Sequence, residues 1–194
     1  EEDIQAYCAG YKTFLDEGKT ERECVDRAVA LAENAGFRPL VRGAQLKAGD
    51  KVYRVNRGKA LMLAVIGKES LGEGANIGAA HIDSPRLDLK QNPLYEADEL
   101  AFLKTHYYGG LRKYQWVTIP LELHGVVALK SGQVVRVSIG NGEGDPLFTI
   151  DDLLPHLGVE QSKKPLSEAI PGESLNILVG SRPLADDEGK DRVK

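Results

Sequence analysis

The sequence has few cysteines, no long apolar run and no excess of basic residues. Its two cysteines, Cys8 and Cys24, lie on apolar faces of predicted helices. This placement indicates buried free thiols in a reducing compartment, by default the cytoplasm, rather than a disulfide or a metal site. The longest apolar run, residues 60–67, is far shorter than the roughly 20 residues of a membrane helix. The net charge of -4 provides no basic surface, so we expect neither a nucleic-acid partner nor a membrane partner.

The beginning of the chain predicts two helices. Apolar residues recur three and four positions apart from Ile4 to Leu15, and Gly18 can end that helix. The motif "TERE" follows, with Thr20 as N-cap and Glu23 as its capping-box partner. The second helix is expected to bury Cys24, Val25, Ala28, Leu31 and Ala32, and to end at Gly36.

Three segments after these helices have the patterns of strands. "KVYRVN" alternates like a half-buried strand, and the "RG" that follows it indicates a hairpin turn. "ALMLAVIG" and "NIGAAHID" are apolar runs of strand length, which predicts strands covered on both faces. Two helices that precede buried strands favour a layered α/β domain.

The pattern changes after Leu89 and predicts a second, β-rich unit that starts between Lys90 and Gly110. "QWVTIPLELHGVVALKSGQVVRVSIG" is β-branched and alternating, and Ser131-Gly132 interrupts it as a hairpin turn. "TIDDLLPHLG" predicts a short helix that Pro155 limits or kinks. "LNILVG" is a final strand candidate, and a charged tail follows it.

The four histidines do not form a local zinc motif. No H-x-x-x-H or C-x-x-C spacing occurs, so any metal site must be assembled from distant segments. His106, in "HYYGG", is expected in a loop as a surface or half-buried residue. His124 is expected to point outward from a strand, and His156 to lie at the end of a short helix in a capping or surface role.

His81 and Asp83 are the best candidates for chemistry. They lie at the C-terminal end of a predicted strand, where α/β sheets place their ligands. Residues two apart on an extended chain point to the same side, so Asp83 can accept one ring N–H of His81 and leave the other nitrogen for a metal. The alternative is a histidine hydrogen-bonded to a strand-end carboxylate without a metal, and spacing alone favours that alternative.

Several longer segments, in order, give the sequence a resemblance to a known family. "GAAHIDSPRLDLK", "HYYGG", "YQWVTIPLELHG" and "FTIDDLLPHL" resemble the aspartyl aminopeptidase family of dinuclear zinc exopeptidases, and the bacterial members most closely. The resemblance implies an α/β fold in which residues 1–90 are the N-terminal part of a three-layer zinc-exopeptidase domain. Residues 91–180 would then be an inserted β-rich dimerisation domain, and residues 181–194 a charged tail.

The same resemblance implies roles for three residues. His81 corresponds to a zinc ligand and Asp83 to the residue that orients it. His156 corresponds to a histidine that reaches the active site of a neighbouring subunit, where it stabilises the carbonyl oxygen or the substrate. The complete site of the family holds two zinc ions, or other divalent metals, and acts on peptides. Members form homodimers and larger tetrahedral particles, and remove N-terminal residues that are acidic in eukaryotic enzymes and more varied in bacteria.

The sequence departs from the family in lacking its later machinery. That machinery comprises a metal-bridging Asp, an adjacent Glu-Glu pair, a further acidic ligand and a final His. The Glu-Glu pair of this chain stands at residues 1 and 2. The sequence around Asp151-Asp152 and around Asp186-Asp187 does not match the sequence around the family's acidic ligands. We therefore expect an N-terminal portion of an aminopeptidase that is inactive alone. The alternative is a non-catalytic assembly or dimerisation module, or a truncated subunit.

Overall fold

The computed structural model describes residues 1–185, 192 and 193, which belong to two compact units, Glu1–Ser84 and Pro85–Lys194. The structural division thus falls ahead of the predicted boundary at residue 90, because the first strand of the second unit already begins at Arg86. Asp186-Asp187 and most of the predicted tail lie outside the described residues. Across the part of the chain that the structure describes, no helix is both long enough and apolar enough to cross a membrane.

The first unit begins with the two predicted helices. Helix α1 spans Glu2–Glu17 and helix α2 spans Glu21–Asn34. The predicted capping box is confirmed: the Glu23 backbone N–H donates to Thr20 Oγ1 at 3.4 Å, and the Thr20 backbone N–H donates to Glu23 Oε2 at 2.9 Å. A cap of this kind stabilises a helix by about 1 kcal/mol. Of the five residues predicted to be buried on α2, three are buried, namely Cys24, Val25 and Ala32.

The two cysteines differ in environment. Cys24 is buried, and its thiol donates to the Gly18 carbonyl at 3.2 Å. Burial raises the pKa of the Cys24 thiol, and the nearby carboxylates of Glu23 and Glu21 raise it further. Cys8 is exposed, so the prediction that both thiols are buried was wrong for Cys8. None of the residues of α1 is buried, and Ile4, Tyr7 and Tyr11 of this helix are also more than half exposed.

A three-stranded sheet follows in the first unit. Strands β1 (Arg38–Pro39), β2 (Lys51–Asn56) and β3 (Ala60–Val65) lie in that order; β1 is parallel to β2, and β3 is antiparallel to it. The predicted hairpin turn is confirmed, since Arg57 and Gly58 have φ of 53° and 68° and the Lys59 N–H donates to the Asn56 carbonyl at 3.0 Å. Positive φ at both central residues of this turn is typical of the turns that suit the twist of a β-hairpin.

Two burial predictions for the first unit were wrong. β3 is not covered on both faces: Met62 is 69% exposed and Val65 is 60% exposed. The segment at residues 76–83 does not form a strand and pairs with no described strand, and Ile77 is 86% exposed. An apolar run becomes a buried strand only where neighbouring strands and covering helices are present. The described residues do not provide them here.

The second unit contains a long hairpin that the sequence patterns did not predict. Strands β4 (Arg86–Ala97) and β5 (Leu100–Tyr108) are antiparallel and joined at Asp98 and Glu99, both with positive φ. The predicted final strand is confirmed at Ile177–Gly180, labelled β8, and it pairs with β5, so that the strand order is β4-β5-β8. The register shifts between Leu89 and Leu94, where "KQNP" interrupts the alternation that would have indicated a strand.

A separate hairpin in the second unit agrees with the prediction. Strands β6 (Leu123–Ala128) and β7 (Val134–Ile139) pair antiparallel in register from Leu123↔Ile139 to Ala128↔Val134. The turn contains Ser131-Gly132, and the Gly132 N–H donates to the Leu129 carbonyl at 2.9 Å. The positive φ of Gly132, 86°, explains why glycine suits this turn.

The core of the second unit joins the sheet to the irregular segments near the end of the chain. Its buried members are Val117, Ile150, Ile170, Leu175 and Ile177. The hydroxyl of buried Thr105 donates to the Leu175 carbonyl, which satisfies both polar groups. Two single-turn helices, α3 (Val159–Ser162) and α4 (Leu166–Ala169), lie in these segments, as do 3-10 turns at Lys113–Gln115 and Gly172–Ser174.

The helix predicted over residues 149–158 is absent from the described structure. Thr149 forms an isolated β-bridge with Leu178 instead, and the Leu178 N–H donates to the Thr149 carbonyl at 2.9 Å. Residues 155–157 form a turn, in which the N–H groups of Leu157 and Gly158 both donate to the Leu154 carbonyl. Pro155 has no N–H to donate to Asp151, so a helix that starts at Thr149 would lack a bond in its middle.

Candidate functional site

His81 and Asp83 lie close together at the end of the first unit, although the ring hydrogen-bonds to the backbone carbonyl of Asp83 and not, as expected, to its carboxylate. His81 Nδ1 lies 2.8 Å from the backbone carbonyl oxygen of Asp83 and 3.5 Å from Asp83 Oδ1. Because a carbonyl oxygen only accepts, Nδ1 must carry the ring proton. The lone pair of the imidazole is then on Nε2. The backbone of Asp83, with its carboxylate beside it, thus sets the tautomer that a histidine needs to bind a metal through Nε2.

The surroundings of this pair are open. The His81 side chain is 82% exposed and that of Asp83 is 34% exposed. An interaction at such an exposed position contributes little to stability, typically less than about 1 kcal/mol. The contact therefore contributes little to holding the fold together.

The described residues alone do not complete a zinc site. Within residues 1–185, 192 and 193, no group of three or more His, Cys, Asp or Glu side chains is placed to hold a metal ion. A catalytic zinc takes about three protein ligands and keeps one position for water. His81, with Nε2 available and Nδ1 fixed, fits one of those positions.

His156 lies in the second unit, in the turn at residues 155–157, and is exposed. The turn is fixed by the two N–H groups that donate to the Leu154 carbonyl, at 2.9 Å and 2.8 Å. It carries apolar side chains on both sides of the histidine, and Leu154 and Leu157 are 66% and 71% exposed. The turn therefore presents an imidazole within an exposed apolar surface.

The other two histidines differ from their predicted settings. His106 lies in strand β5 opposite Asp88, not in a loop, although it is on the surface as expected. His124 lies in β6, but its side chain is only 9% exposed, so the expected outward position was wrong. Its Nε2 lies 2.8 Å from Glu122 Oε2. Burial of an imidazole usually requires such a polar partner.

A group of charges near His106 was not anticipated from the sequence. Lys90 Nζ donates to Glu173 Oε2 at 2.6 Å. That hydrogen bond and the charge of Lys90 hold the pKa of the Glu173 carboxyl below its usual value, with smaller contributions from His106 and Lys104. Lys90 and Glu173 are 83 positions apart in the sequence. Only the packing of the Gly172–Ser174 turn beside β5 brings them together.

The second unit also contains a cleft of about 500 Å³. Its floor includes the core residues Val117 and Ile170, and Asp151, Asp152 and Lys164 contribute charges to its lining. Asp152 Oδ1 accepts hydrogen bonds from the Leu153 N–H at 2.8 Å and from Gln161 Nε2 at 2.9 Å. These bonds hold the start of the segment that leads to His156.

Comparison with known proteins identifies the family. The profile of the family described as "Aminopeptidase I zinc metalloprotease (M18)" matches residues 14–194. A probable M18 family aminopeptidase 1 from Clostridium acetobutylicum is 55% identical over 188 residues, which cover 95% of this chain and 40% of that protein. These matches define a class of zinc metalloproteases. The chain belongs to the M18 family.

Solved structures agree with this assignment. The M18 family aminopeptidase from Thermotoga maritima has a TM-score of 0.91 and 43% identity, and the match covers 100% of this chain and 42% of that one. Aminopeptidase I from Borrelia burgdorferi B31 has a TM-score of 0.85 and 39% identity, with 100% and 43% covered. The predicted α/β fold, as part of a larger domain, is confirmed. The chain spans about two fifths of the length of these relatives.

Proposed function

We propose that this chain is the N-terminal portion of a zinc aminopeptidase that removes N-terminal residues from peptides at a dinuclear metal site. The observation that carries the proposal is the contact of His81 Nδ1 with Asp83, which leaves Nε2 of an exposed imidazole for a metal, in a chain of the M18 family. Zinc, when bound, would supply Lewis-acid activation of water and of the scissile carbonyl. The relatives named above are aminopeptidases, which supports a peptide substrate.

The residues of this chain have distinct roles in the proposal. His81 holds a metal through Nε2, and Asp83 fixes the ring proton on Nδ1 and the orientation of the ring. His156 contributes to the site of a neighbouring subunit, where an imidazole N–H can donate to the carbonyl oxygen of the substrate. The exposed apolar side chains beside His156 support a position at an interface between subunits. The cytoplasmic location and the preferred N-terminal residue stay predictions.

A first experiment tests whether the chain is inactive alone, which we expect because the described residues provide one metal ligand. The purified 194-residue chain is assayed with aminoacyl-anilides in the presence of zinc, with and without a chelator. We expect no hydrolysis above the blank. Robust hydrolysis that a chelator abolishes would show a complete site and contradict the expected inactivity.

A second experiment tests the role of His81. In a chimera, this chain replaces the matched residues of the Clostridium acetobutylicum relative, so that the remainder of the family fold is present. We expect aminoacyl-anilide hydrolysis by the chimera and a loss of at least about 100-fold for His81→Ala, since removal of a metal ligand impairs the metal site directly. Lys68→Ala, at an exposed position of the same unit, is the control and should be unchanged. Equal activity of the two variants would exclude His81 as a ligand.

A second candidate function is that of an assembly module. The observation in its favour is the exposed apolar surface of the second unit around His156, with Leu153, Leu154, Leu157 and Val159 all more than half exposed. Such surfaces mark interfaces between proteins. Light scattering over a range of concentrations tests it: dimers or larger particles support assembly, and a monomer at high concentration excludes it.

A further inference from the structure

The loop that follows β7 contains an asparagine followed directly by a glycine. Asn141 and Gly142 begin the segment "NGEGDP", and both are exposed. Glycine has no Cβ, so the backbone nitrogen of Gly142 can approach the side-chain amide carbon of Asn141 without steric hindrance. That approach is the first step of deamidation through a cyclic imide. The other asparagines stand at positions 34, 56, 76, 92 and 176, and none of them precedes a glycine.

The carboxylate of Asp145 holds the backbone N–H groups at the start of this loop. Its Oδ2 accepts the Gly142 N–H at 2.9 Å and the Gly140 N–H at 3.1 Å. The Asp145 N–H donates in turn to the Gly142 carbonyl at 3.1 Å. The bond from Gly142, then that from Gly140 and a smaller one from Asn141, lower the pKa of the Asp145 carboxyl, so this group is ionised at neutral pH. The nitrogen that would attack Asn141 is therefore the one whose proton the carboxylate holds.

Two consequences of this hydrogen bond oppose the attack. The Gly142 nitrogen becomes a nucleophile only when it loses its proton, and the negative charge that then develops lies 2.9 Å from the charged oxygen of Asp145. Like charges at such a distance repel each other strongly. The backbone must also turn to bring the nitrogen to the amide carbon of Asn141. The two bonds between Gly142 and Asp145 restrain that rotation.

The glycine at position 142 is also what lets the carboxylate come this close. A Cβ built there would lie 3.1 Å from Asp145 Oδ2 and 3.2 Å from Asp145 Cγ, closer than an ordinary van der Waals contact. The same missing Cβ leaves the Gly142 nitrogen accessible to the side chain of Asn141. The loop thus combines a reactive pair of residues with the side chain that restrains it.

We propose that Asn141 is a site of spontaneous deamidation and that the carboxylate of Asp145 slows this reaction by holding the N–H of Gly142. In the reaction, a bond forms between the Gly142 nitrogen and the side-chain amide carbon of Asn141, and the bond from that carbon to its NH2 group breaks. The NH2 group leaves as ammonia with the proton that Gly142 loses. Water then opens the cyclic imide to aspartate or isoaspartate at position 141. The inference is independent of the proposed peptidase function.

Peptide mapping by mass spectrometry tests this inference on the purified 194-residue chain. The original chain and Asp145→Ala are incubated at neutral pH, each folded and in urea, and conversion at Asn141 is followed over time. Exposed Asn76, which precedes the branched Ile77, is the internal reference. In the folded state, Asp145→Ala should convert at least about tenfold faster than the original, as expected for loss of a hydrogen bond to a charged acceptor. In urea the two should convert equally. Equal rates in the folded state would overturn the proposal.

A second variant keeps the test informative if Asp145→Ala loosens the fold. Asp145→Asn keeps the shape of the side chain and a neutral acceptor, and the emission of Trp116 reports whether it stays folded. It should still convert faster than the original chain, because the repulsion by the carboxylate is gone. Glu143→Gln removes a charge from the same loop and should stay within about twofold of the original, since exposed charges are screened. An Asp145→Asn chain as slow as the original would overturn the role of the carboxylate.

The products and the denatured chain test the chemistry itself. Opening of a cyclic imide gives isoaspartate as well as aspartate, so both should be found at position 141. Aspartate without isoaspartate would show direct hydrolysis of the amide and overturn the proposed route. In urea, Gly142→Ala should slow the conversion, because its Cβ hinders the attacking nitrogen whatever the fold. A denatured original chain in which Asn141 converts no faster than Asn76 would overturn the site.

Discussion

The two units of the chain differ in how completely they bury their apolar residues. In the second unit, five buried residues form one continuous core, and Leu175 at its centre is 0% exposed. In the first unit, Cys24, Val25, Ala32, Val52 and Tyr53 are buried, while side chains of α1, β3 and residues 76–83 remain exposed. The Tyr53 hydroxyl donates to Glu33 Oε1 at 2.6 Å, so even here a polar contact holds α2 to β2.

The second unit thus has a continuous core, whereas much of the apolar surface of the first unit is exposed. Burial of apolar area is the main favourable term in folding, so the unit with the continuous core should dominate the measured stability. The first unit should be held by local features such as caps and turns. Four substitutions, taken from the largest to the smallest expected effect, test this contrast.

The largest effect is expected at the centre of the second core. Leu175→Ala removes a fully buried side chain and should lower the free energy of unfolding by about 2–5 kcal/mol. Denaturant unfolding followed by the emission of Trp116, which packs against this core, measures the change. Leu154→Ala, at an exposed position of the same unit, should change it by less than about 0.5 kcal/mol. Similar losses of unfolding free energy for Leu175→Ala and Leu154→Ala would mean that this core does not dominate the measured stability.

A smaller effect is expected where a glycine faces an aromatic ring. A Cβ at Gly172 would lie 2.6 Å from Tyr107 Cε1 and 3.0 Å from Tyr107 Cδ1. Gly172→Ala should therefore lower stability by about 1–3 kcal/mol through overpacking, measured by the same emission. At Gly110 a Cβ would meet nothing within 4 Å, so Gly110→Ala is the matched control. A neutral Gly172→Ala would show that the ring moves aside freely.

In the first unit the corresponding test is the helix cap. Thr20→Ala removes the side-chain acceptor for the Glu23 N–H and should cost about 1 kcal/mol. Thermal unfolding followed by far-UV circular dichroism detects it, because both long helices belong to this unit. Thr13→Ala, an exposed mid-helix change in α1, should be neutral or slightly stabilising. A Thr20→Ala protein as stable as the original would show that packing, not the cap, sets the start of α2.

The smallest effect concerns the acid stability of the second unit. Asp145 Oδ2 accepts the N–H groups of Gly142 and Gly140 at 2.9 Å and 3.1 Å, and these bonds lower the pKa of the Asp145 carboxyl. A pKa lowered in the folded state stabilises the fold above the ordinary value of about 3.9 and ceases to do so as the pH falls through the folded pKa.

Asp145→Asn should therefore be less stable than the original protein at neutral pH, and the difference should begin to shrink below about pH 3.9 and vanish once the pH has fallen through the lowered folded pKa. Denaturant midpoints from Trp116 emission over this range measure it. Glu143→Gln, in the same loop, is the control for loss of a charge. A difference that persists unchanged into strong acid would assign the effect to something other than ionisation of Asp145.

Local features were predictable from the sequence. The capping box at Thr20 and the turns at Arg57-Gly58 and Ser131-Gly132 each involve residues within a few positions of one another. Neighbours along the chain determine such geometry almost regardless of the rest of the fold. The family resemblance rested on the order of several such segments, and the M18 match confirmed it.

Features that depend on distant residues were not predictable in the same way. Residues 76–83 have strand composition, but whether a strand forms depends on partners that are not adjacent in sequence. Thr149 forms a β-bridge with Leu178 in place of the expected helix. The ion pair of Lys90 depends on Glu173, which lies 83 positions further along the chain. The roles of His81, Asp83 and His156 stay predictions, because a metal site assembled from distant segments has no signature in any one of them.

The packing of the Cys24 thiol against Gly18, between α1 and α2, allows opening of this part of the structure to be followed by thiol labelling. A Cβ at Gly18 would lie 2.9 Å from Cys24 Sγ. Only glycine therefore leaves room for the thiol of Cys24 to donate to the Gly18 carbonyl. The thiolate is the form that alkylating reagents attack, and burial suppresses it at Cys24, whereas Cys8 is exposed to reagent. The extent of Cys8 labelling should thus measure the amount of protein. The slower rate of Cys24 labelling should measure how often the structure around Gly18 and Cys24 opens.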